Sequence, residues 1–186
     1  NLDLDTVSTE DIPMELYDRY FAEKNALISV QSDLSIEGGA FETNGQGTVI
    51  LVESVILNRN PGWTKSQIEI ELEVKFNVRT VIWLPFGLAE DPDYMGHLYE
   101  NFYGFGTGGH SDEFVRFVND TTVFLAWEFS NPDPDFPLRG INRQRMFVND
   151  SIISNTIDWR GQSFSVVKIP IPEIFYKTVE ADPGTV

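Results

Sequence analysis

Two apolar runs decide the fold of this chain: Thr48-Val49-Ile50-Leu51-Val52-Glu53 and, 74 residues further on, Thr122-Val123-Phe124-Leu125-Ala126-Trp127-Glu128. A second pair, Val81-Ile82-Trp83-Leu84-Pro85 and Val166-Val167-Lys168-Ile169-Pro170, recurs at an offset of 85 residues. Short apolar runs of this kind predict buried strands. Strands that recur in the same order indicate repeated supersecondary units, which are typical of an array or a propeller. Chance similarity between apolar strands is the alternative.

Each repeat is predicted to run strand, strand, helix, strand in an α/β fold. The first repeat occupies residues 31–87 and the second occupies residues 108–172. The predicted strands are 37–41, 48–57 and 79–84 in the first repeat, and 111–118, 122–128 and 164–169 in the second. Helices are predicted at residues 65–76 and 138–153, and Thr64 with Gln67 forms a capping box before the first of them.

Three further segments lie outside the repeats. Residues 1–30 are predicted to be an acidic leader, a short helix, and a strand at residues 26–30 that belongs to a preceding unit. Residues 88–107 are an insertion rich in aromatic residues and glycine. Residues 173–186 are predicted to form an exposed tail.

Composition excludes several classes of function. The 186 residues carry a net charge of −16, which disfavours nucleic acid and anionic membranes as partners and suits a small cation. The sequence contains no cysteine, so a disulfide framework, a cysteine–zinc site and a cysteine nucleophile within this chain are excluded. No apolar run reaches the roughly 20 residues of a membrane span. Neither a metal site nor a cofactor is expected.

Two acceptor triplets for N-glycosylation begin at Asn119 and Asn149. Triplets of this kind arise often by chance. They favour secretion slightly over a cytoplasmic location and otherwise leave the compartment open.

The sharpest chemical motif is Gly108-Gly109-His110-Ser111-Asp112. In an extended strand His110 and Asp112 would point to one face, presenting an imidazole that can move protons beside a carboxylate that can bind a guanidinium. The 74-residue offset carries Glu37 to position 111, so Glu37 and His110 are expected to begin equivalent strands and to share one pocket. A turn histidine beside a surface aspartate is the alternative.

Four segments, in this order, resemble the agmatine deiminase and bacterial-type peptidylarginine deiminase family of the pentein superfamily. They are Ile36-Glu37-Gly38-Gly39, Leu57-Asn58-Arg59-Asn60-Pro61, Val81-Ile82-Trp83-Leu84-Pro85-Phe86-Gly87, and Gly109-His110-Ser111-Asp112 with the following Phe114-Val115-Arg116-Phe117-Val118. The resemblance covers roughly residues 15–172. It implies that the chain is about two blades of a five-bladed α/β propeller.

The resemblance also implies a reaction and its catalytic residues. Family members hydrolyse a guanidinium group and release ammonia through a covalent intermediate on a cysteine thiolate. By similarity, His110 is the acid–base residue, Glu37 supports it, and Asp112 binds the guanidinium nitrogens of a small cationic substrate. Arg59 itself is expected to anchor the turn before the helix, and a functional role is the alternative.

The sequence departs from the family in two ways. The family's cysteine segment and its early Trp-x-Arg-Asp segment are absent, so a second polypeptide is expected to complete the propeller and supply the thiol. The insertion is longer than the family's loop. Four of its aromatic residues are interpreted as a possible lid, namely Tyr99, Phe102, Tyr103 and Phe105. A packed insertion or a partner contact is the alternative. A non-catalytic binding, interaction or storage protein on the same scaffold is the alternative function.

Overall fold

The computed structural model describes residues 17–129, 137–173 and 177–178. The chain divides into two compact units, residues 1–34 and residues 35–186. In the first unit the described element is helix α1 (Tyr17–Lys24). The strand predicted at residues 26–30 is wrong, because the backbone there has no strand pairing after Ala26 turns into the left-handed region at φ 52°. The predicted acidic leader lies outside the described residues, which begin at Tyr17.

The first repeat is a three-stranded sheet with one crossover. Strands β1 (Phe41–Thr43) and β2 (Thr48–Val52) are antiparallel, and β3 (Thr80–Leu84) runs parallel to β2. The crossover contains helices α2 (Glu53–Arg59) and α3 (Lys65–Phe76). The predicted helix 65–76 and its Thr64–Gln67 capping box are confirmed.

The insertion separates the two repeats and forms a β-hairpin. Its strands are β4 (Asp93–Tyr99) and β5 (Phe102–Thr107), which pair in antiparallel fashion. The second repeat follows as β6 (Val115–Phe117), β7 (Thr122–Trp127), helix α4 (Leu138–Asn155) and β8 (Ser165–Pro170). Its strand order and directions match those of the first sheet, so the predicted strand–strand–helix–strand repeat is confirmed.

Three predicted strands of the repeats differ from the observed ones by more than one residue at an end. Strand 48–57 stops at Val52, because its apolar continuation is the buried face of α2, with Val55 and Ile56 inside. Residues 38–40 and 111–113 form 3₁₀ turns in place of strand, and the strands begin only after them. Hydrophobic periodicity alone does not separate such short elements.

Helix α4 joins the two repeats. It packs against β3 of the first sheet and against β7 and β8 of its own sheet. One polar face of α4 holds the backbone that leads from β3 towards the hairpin. Asn149 donates to the Phe86 carbonyl at 2.8 Å, and Arg145 donates to the Gly87 and Leu88 carbonyls at 3.1 and 3.0 Å.

The placement of Asn149 bears on the expected glycosylation. Its side chain is fully buried, and its amide is already bonded to Phe86. A glycan at Asn149 therefore does not fit the folded chain. Asn119 lies exposed in the turn between β6 and β7, where its side-chain oxygen accepts from the Thr121 and Thr122 amides.

Within the described residues, no helix is both long and apolar enough to cross a bilayer. Most of the predicted tail, namely residues 174–176 and 179–186, lies outside the described residues.

Candidate functional site

Two equivalent 3₁₀ turns position the predicted catalytic residues. Glu37 immediately precedes the turn Gly38–Ala40, and His110 immediately precedes the turn Ser111–Glu113. The turns contact each other, and the Ser111 hydroxyl donates to the Gly39 carbonyl at 3.0 Å. The two turns therefore bring residues 73 positions apart to one place.

The strands after the turns hold this arrangement. The buried carboxylate of Glu42, on β1, accepts from the Phe117 amide of β6 at 2.7 Å. The same carboxylate pairs with Arg116 at 3.2 Å. These contacts align the two repeats side by side.

The imidazole of His110 faces the Glu37 carboxylate, with Nε2 3.0 Å from Oε2. A carboxylate can only accept, so Nε2 carries the proton of this bond and Nδ1 is the nitrogen left for proton exchange. The His110 side chain is 15% exposed. It is therefore shielded but not sealed from solvent.

Asp112 lies beside His110, although the local reason differs from the extended-strand geometry that the sequence suggested. A Cβ atom on Gly39 would lie 2.4 Å from His110 Nδ1 and 2.9 Å from both carboxylate oxygens of Asp112. The imidazole and the carboxylate thus surround the same glycine. The structure brings all three predicted residues together.

The segment before His110 is shaped by two glycines and a buried aspartate. Gly108 and Gly109 have φ angles of 91° and 106°, which residues with a Cβ atom rarely adopt. Asp91 accepts from the Gly109 amide at 2.6 Å, from the His110 amide at 3.2 Å, and from both the amide and the hydroxyl of Thr107. One carboxylate therefore fixes the backbone that carries the imidazole.

Arg59, at the end of α2, is predicted to anchor a turn, with a functional role as the alternative, and the structure places it between Glu37 and Asp93. Its Nε donates to Glu37 Oε1 at 2.9 Å. Its terminal nitrogens donate to Asp93 at 3.1 Å and to the Thr107 carbonyl at 3.2 Å. The neighbouring Asn60, which bonds Ser35 and Ile56, holds the turn.

Two carboxyl groups near His110 have pKa values that are shifted in opposite directions. Burial alone would raise the pKa of Glu37, but the hydrogen bonds and charges of Arg59 and His110 hold that pKa below its ordinary value. Burial, together with the neighbouring charge and hydrogen bond of Asp91 and the charge of Asp112, raises the pKa of Glu113 to about 7. Near neutral pH, Glu37 is therefore a carboxylate, whereas Glu113 is partly protonated.

The predicted lid residues lie on the hairpin. Tyr103 and Phe105 are exposed, and their rings contact His97 and Tyr94 at centroid distances of 5.4 and 4.9 Å. Tyr99 ends β4 and Phe102 begins β5. Their role as a lid stays a prediction.

A cavity of about 470 Å³ lies between α2, the connection 85–93 and α4. Arg59, Asp93 and Arg145 line it, whereas Glu37, His110 and Asp112 do not. The predicted catalytic residues therefore cluster around Gly39 rather than in this cavity. In the part of the chain that is described, no group of three or more His, Asp or Glu side chains has the geometry to hold a metal ion.

Comparisons with known proteins show that the chain is similar to proteins named as deiminases. The family model described as Porphyromonas-type peptidyl-arginine deiminase matches residues 8–184. The agmatine deiminases of Medicago truncatula and Pseudomonas putida strain F1 are each 36% identical to it over 151 residues, which is 80% of this chain and 35% of theirs. The chain thus spans about a third of the length of these curated relatives.

Solved structures give the same relationship. The agmatine deiminase of Enterococcus faecalis superposes with a TM-score of 0.68 at 26% identity, covering 90% of this chain and 40% of that one. An agmatine deiminase from C. jejuni, at 22% identity and a TM-score of 0.57, shares the fold over 87% of this chain and 41% of that one. The match of the family model over most of the sequence settles the relationship: the chain belongs to the Porphyromonas-type peptidyl-arginine deiminase family.

Proposed function

We propose that this chain is part of a guanidine-group hydrolase that acts on agmatine or a related arginine derivative and releases ammonia. The observation that carries the proposal is the hydrogen bond between His110 and Glu37, with the Asp112 carboxylate beside it. The relatives named agmatine deiminase support the substrate class. The net charge of −16 suits a cationic substrate.

The roles follow from the chemistry of each group. Asp112 accepts two N–H bonds from the guanidinium, which orients its central carbon. His110 takes the proton of a cysteine thiol at Nδ1, and the resulting thiolate attacks that carbon and forms a C–S bond. His110 then gives this proton to one nitrogen, and the C–N bond breaks to release ammonia. His110 then takes a proton from water, whose oxygen displaces the sulfur and leaves a ureido product. Glu37 holds the imidazole throughout.

The thiolate must come from outside these 186 residues, because the sequence contains no cysteine. We therefore propose that a second polypeptide packs against this chain, completes a five-bladed propeller and supplies the cysteine.

The internal repeat supports a missing neighbour. In the first sheet, Ile50, Ile82 and Leu84 form one face and are at most 2% exposed. On the opposite face, Trp83 Nε1 donates to Glu69 of α3, and α4 contacts β3. We infer that α4 covers the face that carries Ile82 and Leu84. The first face is therefore buried because the next repeat supplies a helix.

In the part of the chain that the structure describes, the second sheet has the same apolar face without a covering helix. The positions equivalent to Ile50, Ile82 and Leu84 are Phe124, Val167 and Ile169, which are 39–41% exposed. Apolar sheet faces are stable when another layer buries them. We propose that a helix equivalent to α4, from a third repeat, packs on this face.

A non-catalytic protein on the same scaffold is the competing function, and the absence of cysteine is what favours it. The test is ammonia release from agmatine, arginine and a peptidyl-arginine substrate by the native assembly that contains this chain. Release from one of them, abolished by His110→Ala, supports the hydrolase. An assembly that binds these compounds without releasing ammonia supports the alternative.

A further inference from the structure

The predicted catalytic residues and the hairpin insertion meet at one side chain. Arg59 is 27% exposed and lies between the Glu37 carboxylate on one side and the base of the hairpin on the other. Asp93 and Thr107, which pair with each other at the base of β4 and β5, both accept from Arg59. Asn58 donates to the second oxygen of Asp93 at 2.7 Å.

We propose that Arg59 is a positioning residue that fixes the Glu37 carboxylate against His110 and ties this pair to the base of the hairpin. The inference rests on the proposed function and deepens it. A guanidinium can serve three acceptors at once because its donors form a planar fork. Each carboxylate oxygen of Glu37 then has its own donor, Arg59 for Oε1 and His110 for Oε2.

This arrangement fixes the tautomer of His110. With Oε2 held in place as an acceptor, Nε2 keeps its proton and Nδ1 stays open on the Asp112 side. Without Arg59, Oε1 loses its partner and the carboxylate can rotate away. Once the carboxylate has rotated, Oε2 no longer holds the proton on Nε2, and the imidazole can exchange between its two tautomers.

The connection to the hairpin has its own consequence. His110 follows Thr107 by three residues, so a movement of the hairpin base acts on the imidazole through the backbone and, by way of Arg59, through Glu37. Asp93→Asn removes the charge at the hairpin end of Arg59 and leaves the Glu37 end intact. It therefore separates the two tasks of the arginine.

The first measurement needs no turnover. The chain has two histidines, so in a His97→Gln background ¹⁵N-histidine confined to this chain reports on His110 alone. We expect the Nε2–H tautomer to dominate in the unaltered assembly and the Nδ1–H fraction to rise in Arg59→Met. Arg79→Met is the matched control, because the partners described for the Arg79 guanidinium are Asn77 and Glu73 on the surface, away from His110. It should leave the tautomer unchanged.

The second measurement is the kinetics of the native assembly. Arg59→Met should lower kcat about 10- to 100-fold with little change in KM, since a misplaced acid–base group impairs the chemical step. Arg59→Lys should recover part of the loss, because an ammonium restores the charge but not the fork. Asp93→Asn should lower kcat less than Arg59→Met does.

The outcomes separate the two claims. An Arg59→Met assembly with the original tautomer and with kcat within twofold of the unaltered assembly overturns the positioning role. If Arg59→Met does not assemble, Arg59→Lys decides by the same two readouts. A tautomer change in an assembly that hydrolyses no guanidine keeps the positioning role and sinks the proposed function.

Discussion

Replacing Gly39 by alanine tests the catalytic cluster with a single methyl group. The added Cβ atom would lie 2.4 Å from His110 Nδ1 and 2.9 Å from both oxygens of Asp112. Ordinary contacts between such atoms are about 3.5 Å or longer, so the imidazole must retreat by about 1 Å. A displacement of that size costs about 100-fold in rate when the group acts in the chemical step.

The adjacent glycine provides the control. Gly38 lies in the same 3₁₀ turn, and a Cβ atom there would meet nothing within 4 Å. Neither glycine has a positive φ, so alanine is compatible with the backbone at both positions. Any difference between the two variants therefore comes from contact with His110 and Asp112.

The assay is ammonia release from agmatine by the native assembly, with kcat and KM determined for both variants. We expect Gly39→Ala to lose about 100-fold in kcat while Gly38→Ala stays close to the unaltered protein. Equal activity of the two variants, with the assembly intact in both, would refute the placement of His110 and Asp112 in the active site.

Three further predictions concern residues around the same site. His110→Ala should lower kcat by about 10²–10⁴-fold, as loss of a general acid–base group does, whereas Asp112→Asn should mainly raise KM. Steady-state kinetics of the assembly measure both constants, and unchanged values would contradict the two assignments. Because folding raises the pKa of Glu113 from 4.5 to about 7, protonated Glu113 favours the folded state, and the free energy of unfolding falls as pH rises through this window. Glu113→Gln should reduce that fall in urea unfolding at pH 4.5, 6 and 8, and the same pH dependence in the variant and the unaltered protein would contradict this. Asn142→Ala should lower the free energy of unfolding by about 1–3 kcal/mol, because the fully buried Asn142 accepts from the Ala89 amide at 2.7 Å and donates to Glu90 at 2.6 Å. A urea midpoint equal to that of the unaltered protein would contradict this.

Long apolar and capped elements could be predicted from the sequence, whereas short ones could not. Helix α3 was predictable because Thr64 and Gln67 form a local capping box. Helix α2 was not, because its apolar residues continue the run of β2 without a break in hydrophobicity. The repeat offset compensated for such errors, since it depends on the order of strands and not on their exact ends.

The candidate site was predictable where it depends on the repeat and hidden where it depends on the insertion. The 74-residue offset brought Glu37 near His110, and the structure places them in contact. The contacts of Arg59 and Asp91 were not predictable, because both depend on how the hairpin folds back on its own base. Asp91 and Asp93 lie in the insertion, residues 88–107, whose aromatic residues favour a lid and give no sign of the carboxylate contacts.

Mass spectrometry of the native assembly during turnover of agmatine decides whether this chain is part of a cysteine-dependent hydrolase. We expect ammonia in solution and a substrate-derived adduct on a cysteine of a polypeptide segment outside these 186 residues, with His110→Ala in this chain blocking ammonia release. Ammonia release by this chain alone, or full ammonia release by the His110→Ala assembly, would contradict this function.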